Sequence, residues 1–232
     1  MLNKDLIKKR FEKSLLTYPK YAYIQQETSE KLAGFVDKKY GSILEIGSYS
    51  GFLTKEIVKK TEFGTYLAVD IVDSFSCIKN LSPKIRFLKG DIEKVELSQK
   101  YDLIISSSTL QWCSDFNKTI KKLRSYLTPE GHLIISIFGK KNLYQIKEAF
   151  ETSLNYPDIK DIEHLFSKNA KIFEEDKTLQ FSSAIDILKH LKYTGVNSLK
   201  NEFSYCKIKQ ALNILENKYQ NKLTYNPLYV ID

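Results

Sequence analysis

The stretch LEIGSYSGFLT (residues 44–54) decides the fold. An apolar run of the kind found in buried strands ends there in a glycine-containing loop, and an amphipathic helical pattern follows at once. Outward from it, similar short apolar runs alternate with helical stretches, which predicts an α/β fold with a doubly wound, mostly parallel sheet. The candidate strands are SILEIG (42–47), TYLAVD (65–70), IRFLKGD (85–91), YDLIISSS (101–108) and HLIISIFG (132–139).

The rest of the chain predicts additions to this core within one domain. We expect a sixth strand at 171–181 and a last, seventh strand in KLTYNPLYVI (222–231), where Pro227 requires a sheet edge or a bulge. Apolar residues at helical spacing predict helices elsewhere, including 183–193 and 197–219. In chain order the parts are an N-terminal helical lid (1–40), the core (41–139), helices with the sixth strand (140–182), a helical lid insertion (183–221) and the last strand (222–232).

Composition limits the possible partners. The 232 residues include 36 Lys and Arg against 28 Asp and Glu, a net charge of +8, but only three arginines, the residue that nucleic-acid readers favour. No apolar run approaches the roughly 18–20 residues of a membrane-spanning helix, and the first residues lack the apolar core of a signal peptide. Three scattered cysteines indicate a reducing compartment. We therefore expect a cytoplasmic monomer without a membrane or nucleic-acid partner.

Polar residues and glycines follow the first three predicted strands. Gly47 and Gly51 let the backbone approach a ligand, and Glu45 could hold a cationic or hydroxyl group beside them. Asp70 ends the second strand, where a carboxylate accepts both hydroxyls of a ribose, and Asp91 after the third can accept an adenine amine. This edge suits an adenosyl ligand with a positive centre better than a pyrophosphate. No side chains at metal-ligand spacing accompany it.

These residues resemble the class I S-adenosylmethionine-dependent methyltransferases over about residues 43–138, with the family's turn into a strand at LTPEGHLIIS (127–136). The resemblance implies S-adenosylmethionine as cofactor, no metal, and a cofactor site that includes Ile92 and Ser106. Tyr49 departs from the family pattern, which has a small residue there. Its ring either crowds the methionine moiety or turns outward over the loop, and we expect the outward orientation.

The segment SSSTLQWCSD (106–115) follows the fourth strand, where this family places substrate contacts. Gln111 and Trp112 are neutral donors, which can hold a carboxylate in a semi-dry pocket without a tight ion pair that would quench its nucleophilicity. Trp112 could instead only cap the core. The aromatic motif with which methyltransferases stack a flipped nucleic-acid base is absent, which disfavours an RNA methyltransferase.

Further blocks narrow the resemblance to the malonyl-acyl-carrier-protein O-methyltransferases of biotin synthesis, over almost the whole chain. The blocks are Phe11, Ser14, Thr17-Tyr18, Ala22 and Gln25, LQWCSD (110–115), residues 178–197 and LTYNPLY (223–229). They imply methyl transfer to the free carboxylate of a malonyl thioester, with the N-terminal helices folded over the cofactor. Tyr18, Gln111 and Trp112 would hold the carboxylate, with Tyr21 and Gln25 beside them.

The partner implied is an acyl carrier protein that bears malonyl, or malonyl-coenzyme A. Because acyl carrier proteins are acidic, the lid insertion is a candidate docking face through Lys189, His190, Lys192 and Lys200, although each lysine could simply be solvated. Two other functions stay open at this point. One is a carboxyl methyltransferase of the trans-aconitate type, and the other is a non-catalytic binding module in which Tyr49 blocks the cofactor.

Overall fold

A seven-stranded sheet forms the centre of the computed structural model, which describes residues 2–196 and 203–232. The strands in chain order are β1 (Tyr40–Ile46), β2 (Phe63–Asp70), β3 (Ile85–Lys89), β4 (Tyr101–Ser107), β5 (Leu127–Phe138), β6 (Lys171–Glu174), β7 (Lys177–Gln180), β8 (Lys222–Tyr225) and β9 (Pro227–Ile231). The sheet order is β3-β2-β1-β4-β5-β9-β6, and β7 pairs with β8 in a separate two-stranded sheet. Strands β1 to β5 are parallel, whereas β9 is antiparallel to both neighbours. The predicted doubly wound, mostly parallel sheet is confirmed.

Helices cover both faces of this sheet and its carboxyl-terminal edge. They are α1 (Lys4–Ser14), α2 (Tyr18–Tyr21), α3 (Tyr23–Ala33), α4 (Phe52–Lys60), α5 (Phe75–Ile78), α6 (Phe116–Ser125), α7 (Tyr144–Phe150), α8 (Ile159–Ile162), α9 (Ala184–Tyr193) and α10 (Tyr205–Asn213). Short 3-10 turns span Leu110–Trp112 and Glu163–Leu165, and a π-helical turn spans Ile214–Lys218. Within the described residues, no helix has both the length and the apolar character needed to cross a membrane.

Adjacent residues of β1 show why the strands read as continuous apolar runs. Leu44 packs with Ile120 and Leu123 of α6 on one face of the sheet. Ile43 packs with Ile57 of α4 on the other. Because successive side chains of a strand point to opposite faces, a strand covered on both faces needs an apolar residue at every position.

The predicted sixth and last strands are each interrupted. The chain leaves the main sheet after Glu174 and forms β7 in the small sheet, and its return is broken at Asn226, between β8 and β9. Strand β9 lies between β5 and β6, so Pro227 is not at a sheet edge, which was one of the two positions expected for it beside a bulge. Proline is tolerated there because it is the first residue of the strand. The Asn226 side chain holds the break by donating to the carboxylate of Asp176 at 2.8 Å.

Helices α9 and α10 occupy the predicted insertion, and residues 197–202 lie outside the described part of the chain. Ile187 and Leu191 of α9 are buried with Phe150 of α7 in a cluster of their own beside the main core. On the opposite side, the Thr17 hydroxyl donates to the main-chain oxygen of Tyr193 at 2.9 Å. The insertion is therefore packed against the N-terminal helices at the end of the sheet where β1 and β4 finish.

Candidate active site

The loop after β1 adopts a conformation that only its glycines accept easily. Gly47 has φ +80° and Gly51, which begins α4, has φ +79°. A Cβ on Gly47 would lie 1.9 Å from the Thr109 hydroxyl oxygen, so no side chain fits at this position. Tyr49 also has a positive φ, +33°, which is strained for a residue with a side chain. The loop thus presents bare backbone toward the ends of β1 and β4.

Asp70, the last residue of β2, fixes this loop from the next strand. Its Oδ2 accepts from the Tyr49 amide at 2.9 Å and its Oδ1 from the Val72 amide at 2.8 Å. Burial raises the pKa of Asp70 to about 6, although these amides favour the charged form. The carboxylate is therefore ionised at neutral pH, with its orientation set by backbone groups.

Two connected cavities lie at this end of the sheet, and both are lined by Gly47, Asp70 and Trp112. One of them is an apolar slot between Val69 and Ile92, with the Asp91 carboxylate at its rim. The other continues under α1 toward α2 and α3. Its walls include Phe11, Tyr18, Gln25 and Ser108. An apolar slot with acceptors at its rim and an adjoining polar chamber can hold a flat base, a sugar and an amino-acid tail.

Helix α1 is attached across the rim of the slot. The Lys4 ammonium lies 2.6 Å from a Glu93 oxygen and 3.4 Å from the Asp91 carboxylate. Ile7 and Phe11 of the same helix line the cavity walls. Since α1 closes one side of the chamber, a ligand in it would be shielded from water on that side.

Tyr49 forms part of the chamber wall and does not turn outward as we expected. Its hydroxyl donates to the Phe11 main-chain oxygen at 2.6 Å and lies 3.0 Å from the Ser14 hydroxyl. The ring meets those of Phe11 and Tyr18 edge-on, with centroids 5.4 and 4.7 Å apart. These partners on the N-terminal helices, which the loop sequence does not reveal, draw the ring inward and bury it.

Glu45 and Ser106 lie beneath the cavity and not in it. The Glu45 carboxylate is fully buried and accepts from the Thr54 and Tyr66 hydroxyls at 2.6 Å each. Burial raises the pKa of Glu45 to about 7. Ser106 is also fully buried and donates to the Ile46 main-chain oxygen at 2.9 Å. Both predicted cofactor contacts thus hold the loop and the strand ends in place, while the next two residues after Ser106 line the chamber.

The predicted carboxylate-binding residues converge on a third cavity. Tyr18, Gln25, Gln111 and Trp112 all line it, and all except Gln111 also line the chamber beside the glycine loop. The Gln111 side chain donates to the Ser108 main-chain oxygen at 2.6 Å, whereas its Oε1 and that of Gln25 are buried with no hydrogen-bond partner. These two amide oxygens are acceptors, so they are open to a group that donates a hydrogen bond, whereas a carboxylate would have to be held by the donors of the cavity.

Trp112 packs in the core and also lines the candidate substrate cavities, which are the two positions considered for it from sequence. Its ring packs with Ile7 and Leu154 in a small buried cluster and meets the Phe11 ring edge-on at 5.5 Å. It also lines all three cavities at the junction between them. Core packing therefore fixes the ring at the point where the chambers meet.

The far wall of the third cavity consists of residues that sequence reasoning missed. Asn142, Tyr156 and Tyr225 line it, and Asn142 lies close enough to the Tyr156 hydroxyl to act on its pKa. Behind them, His190 Nε2 lies 2.7 Å from the Tyr225 hydroxyl. We expected His190 on a docking face, which was wrong: it is buried, and burial lowers its pKa to about 4. Tyr225 and His190 lie in blocks that carry the family resemblance, but those blocks gave no sign that the two side chains meet behind one cavity wall, because they come from different segments.

The remaining predicted partner residues lie around α9. The Tyr21 ring packs on that of Tyr193, with centroids 4.6 Å apart. Lys189 pairs with Asp186 at 2.9 Å, and Lys192 is exposed. Lys200 lies outside the described residues.

Comparison with known proteins agrees with this geometry. A family model described as a methyltransferase domain matches residues 20–200. The malonyl-acyl-carrier-protein O-methyltransferase of Calditerrivibrio nitroreducens is 35% identical over 97% of this chain and 94% of its own length. The chain belongs to the malonyl-acyl-carrier-protein O-methyltransferase family.

Solved structures share the fold at low identity. The YcgJ protein of Bacillus subtilis superimposes with a TM-score of 0.65 at 11% identity, over 88% of this chain and 97% of that one. An S-adenosylmethionine-dependent methyltransferase of Geobacter sulfurreducens, solved with S-adenosylhomocysteine, gives 0.57 at 12% identity, over 89% and 90%. The sheet and its flanking helices are therefore those of a class I methyltransferase.

The residues at the rim fit S-adenosylmethionine. Asp70 offers carboxylate acceptors for ribose hydroxyls, and the slot beside Ile92 and Asp91 suits an adenine ring with an exocyclic amine. At Gly47 a Cβ would fill the space under Thr109, so bare backbone remains for the methionine portion. The Tyr49 ring forms one wall of the chamber, because its hydroxyl is hydrogen-bonded to α1.

Proposed function

We propose that this enzyme transfers the methyl group of S-adenosylmethionine to the free carboxylate of malonyl-acyl carrier protein, an early step of biotin synthesis. The observation that carries the proposal is the third cavity. Every side chain that lines it within the described residues is uncharged, and it opens beside the cofactor chamber. The 35% identical relative, whose name states this reaction, supports the same conclusion.

The chain's own residues would bind the cofactor and exclude water. When bound, S-adenosylmethionine supplies an electrophilic methyl group, whose bond electrons stay with the sulfur as it becomes a thioether. Asp70, Asp91 and Ile92 would hold its adenosyl part, with Gly47 beneath the tail. Phe11 and Trp112 would exclude water from the junction at which transfer takes place.

Uncharged donors suit a carboxylate nucleophile. A carboxylic acid with a pKa near ~4 is already ionised at neutral pH, so transfer needs neither a general base nor a metal. The Tyr18 hydroxyl has no hydrogen-bond partner among the described residues, and burial raises its pKa far above the ordinary value, so it stays protonated as a donor. With Gln111 and Trp112 it can orient the carboxylate without the ion pair that a lysine or arginine would form.

The carrier protein would dock on the insertion. Exposed Lys192 and Lys189 of α9 lie on the helix that packs against α2 through Tyr21 and Tyr193. Long-range attraction to an acidic carrier would speed encounter and weaken with salt. In this arrangement the N-terminal helices and the insertion together act as the lid over the reacting groups.

The decisive experiment is methyl transfer with purified enzyme, S-adenosylmethionine and malonyl-acyl carrier protein, with the new ester located by tandem mass spectrometry. We expect a methyl ester on the malonyl carboxylate and nowhere on the carrier polypeptide. Malonyl-coenzyme A and trans-aconitate serve as competing acceptors. Preference for trans-aconitate would favour the free-acid alternative, and calorimetry that detects no S-adenosylmethionine binding would contradict any methyltransferase function.

A further inference from the structure

We propose that Tyr156 and Tyr225 bind the thioester carbonyl of the acyl substrate, and that His190 positions Tyr225 for this contact. The inference rests on the proposed function and deepens it. It concerns the wall of the third cavity that faces Tyr18 and Gln111, and it assigns that wall to the second polar group of a malonyl thioester.

Three tyrosine hydroxyls converge on this cavity from separate elements. Tyr18 comes from α2, Tyr156 from the segment after α7, and Tyr225 from the end of β8. They are close enough that the charges of Tyr18 and Tyr156 would add to the effect of burial in raising the Tyr225 pKa. All three phenols therefore remain protonated, and each can donate one hydrogen bond.

The two phenols on the far wall are held by partners, unlike Tyr18. Asn142 lies close enough to the Tyr156 hydroxyl to lower its pKa, against the effect of burial, and the Asn142 Oδ1 accepts from the Asn226 amide at 3.2 Å. The Tyr225 hydroxyl lies 2.7 Å from His190 Nε2. Burial keeps His190 neutral, and the proposal requires the tautomer with hydrogen on Nε2, in which the ring donates to the phenol oxygen. The phenol hydrogen is then free for an acceptor in the cavity.

Strand β8 is fixed independently of the substrate. Gln145 of α7 donates to the Thr224 hydroxyl at 2.8 Å and accepts from the Thr224 amide at 3.1 Å. The backbone of Tyr225, the next residue, is therefore held in place as well. A site built in this way places a donor at a set position before the ligand arrives, which reduces the ordering that binding requires.

The chemistry of the acyl group decides what this wall would bind. A malonyl thioester has a carboxylate and, one methylene away, a carbonyl, which is a weak and uncharged acceptor. The proposed function places the carboxylate with Tyr18, Gln111 and Trp112, at the junction with the cofactor chamber. The carbonyl, one methylene further along the acyl group, then lies against Tyr156 and Tyr225, which supply neutral donors. Such a site should discriminate strongly between the malonyl group and an analogue without the carbonyl, because the analogue would leave buried donors unpaired.

The test compares two acyl groups loaded on the same carrier protein. One is malonyl, and the other is a 2-carboxyethyl thioether, in which a methylene replaces the thioester carbonyl and the carboxylate is unchanged. We expect wild-type kcat/KM to favour malonyl by roughly 30-fold. Tyr225→Phe and Tyr156→Phe should each lower the malonyl value about tenfold and leave the thioether value unchanged, so that the ratio falls toward one.

His190 should act only through the Tyr225 hydroxyl. His190→Leu should lower the malonyl preference in the wild-type background and have no further effect on it in Tyr225→Phe. His190→Gln retains a hydrogen-bonding amide and should restore part of the preference. A loss that adds in full to that of Tyr225→Phe, or that falls equally on both acyl groups, would show a structural role and overturn the positioning of Tyr225 by His190.

Tyr229→Phe is the matched control. Tyr229 is a buried tyrosine of β9 whose hydroxyl donates to Glu175 at 2.8 Å, away from the cavity, so the substrate ratio should not change. Thermal unfolding and S-adenosylhomocysteine affinity of each variant check that the fold persists. The wild-type ratio needs no variant: equal rates with both acyl groups would overturn this inference and leave the proposed function intact. Failure with both would overturn the two together.

Discussion

The active site has a cofactor half, formed by the first two cavities, and an acyl half, formed by the third cavity, and the two differ in the charge of their side chains. The cofactor half contains carboxylates that the backbone orients, such as Asp70 between the amides of Tyr49 and Val72. The acyl half has only uncharged lining side chains within the described residues, with buried amide oxygens left unpaired on Gln25 and Gln111. A sulfonium is stabilised by nearby negative groups, whereas a nucleophilic carboxylate loses reactivity in a tight ion pair. The separation of charge therefore suits both reactants of one transfer.

The halves also differ in how the chain assembles them. The cofactor half comes from loops that directly follow β1, β2 and β3, so neighbouring strand ends bring its residues together. The acyl half takes Tyr18, Tyr156 and Tyr225 from segments far apart in sequence. Variants of each half should therefore affect different quantities: donor affinity in one and turnover of the acyl substrate in the other.

The largest expected effect is that of Asp70→Asn. Loss of the charge removes charge-assisted acceptors for the ribose and weakens the hold on the loop at Tyr49. We expect S-adenosylhomocysteine affinity, measured by calorimetry, to fall about 100-fold. Asp73→Asn, which changes an exposed carboxylate three residues away, should leave affinity unchanged. An equal loss in both variants would contradict the assignment.

The pH dependence of the same affinity provides a control on charge. Burial raises the pKa of Asp70 to about 6, so protonation removes the acceptor as the pH falls through that value. Wild-type affinity should be constant above about pH 7 and fall toward roughly tenfold per unit well below pH 6. Asp70→Asn should lose the part of this dependence that is centred near pH 6, whereas the titration of Glu45 beneath the loop, with a pKa that burial raises to about 7, remains.

Tyr18→Phe should separate the halves most clearly. Its hydroxyl has no hydrogen-bond partner among the described residues, so its removal should leave folding almost unchanged. We expect kcat with malonyl-acyl carrier protein to fall about tenfold while S-adenosylhomocysteine affinity stays within about twofold. Tyr23→Phe, at a half-exposed tyrosine of α3, is the matched control. A joint loss of turnover and affinity would indicate a folding role instead.

Tyr49→Phe tests the contact between the loop after β1 and helix α1. The variant loses the hydrogen bonds to the Phe11 main chain and to Ser14, which are worth about 1 kcal/mol each. Amide hydrogen exchange in α1 should therefore become roughly 5- to 30-fold faster. Ser14→Ala removes only one of the two bonds and should have the smaller effect. Unchanged exchange in Tyr49→Phe would exclude this phenol as an anchor of the helix.

The smallest effect is expected from Lys192→Glu. Reversal of one exposed charge should raise KM for malonyl-acyl carrier protein about threefold and leave malonyl-coenzyme A unaffected. The difference should vanish near ~0.5 M salt, where surface charges are screened. Lys60→Glu, exposed at the end of α4, changes the net charge equally and controls for it. Equal losses on both substrates would refute docking at α9.

The sequence predicts the parts of the molecule that depend on neighbouring residues. Apolar runs located the parallel strands, because a strand covered on both faces needs apolar residues throughout. The motifs placed Gly47, Asp70 and Asp91 at one edge, where the structure brings them together. Tyr18, Gln111 and Trp112 also meet in one cavity. Their roles toward ligands stay predictions for the experiments above.

Features that depend on tertiary packing could not be read from the chain. Ser106 is turned into the sheet, whereas Ser108, with φ +54°, ends the strand and faces the chamber, and no local pattern distinguishes the two. Tyr225 and His190 become partners only once β8 and α9 pack together. The loop sequence likewise gave no sign that α1 would bind the Tyr49 hydroxyl.

The hydrogen bond from Thr17 to the Tyr193 main chain joins segments that serve different halves of the site. The Tyr21 and Tyr193 rings, tilted by 37° with centroids 4.6 Å apart, add a second contact at the same junction. Since α1 and α2 border the donor chamber and α9 carries His190 behind the acyl cavity, one cannot swing away without breaking this junction. Movement of the N-terminal helices away from the donor chamber would therefore also disturb the support of the acyl cavity.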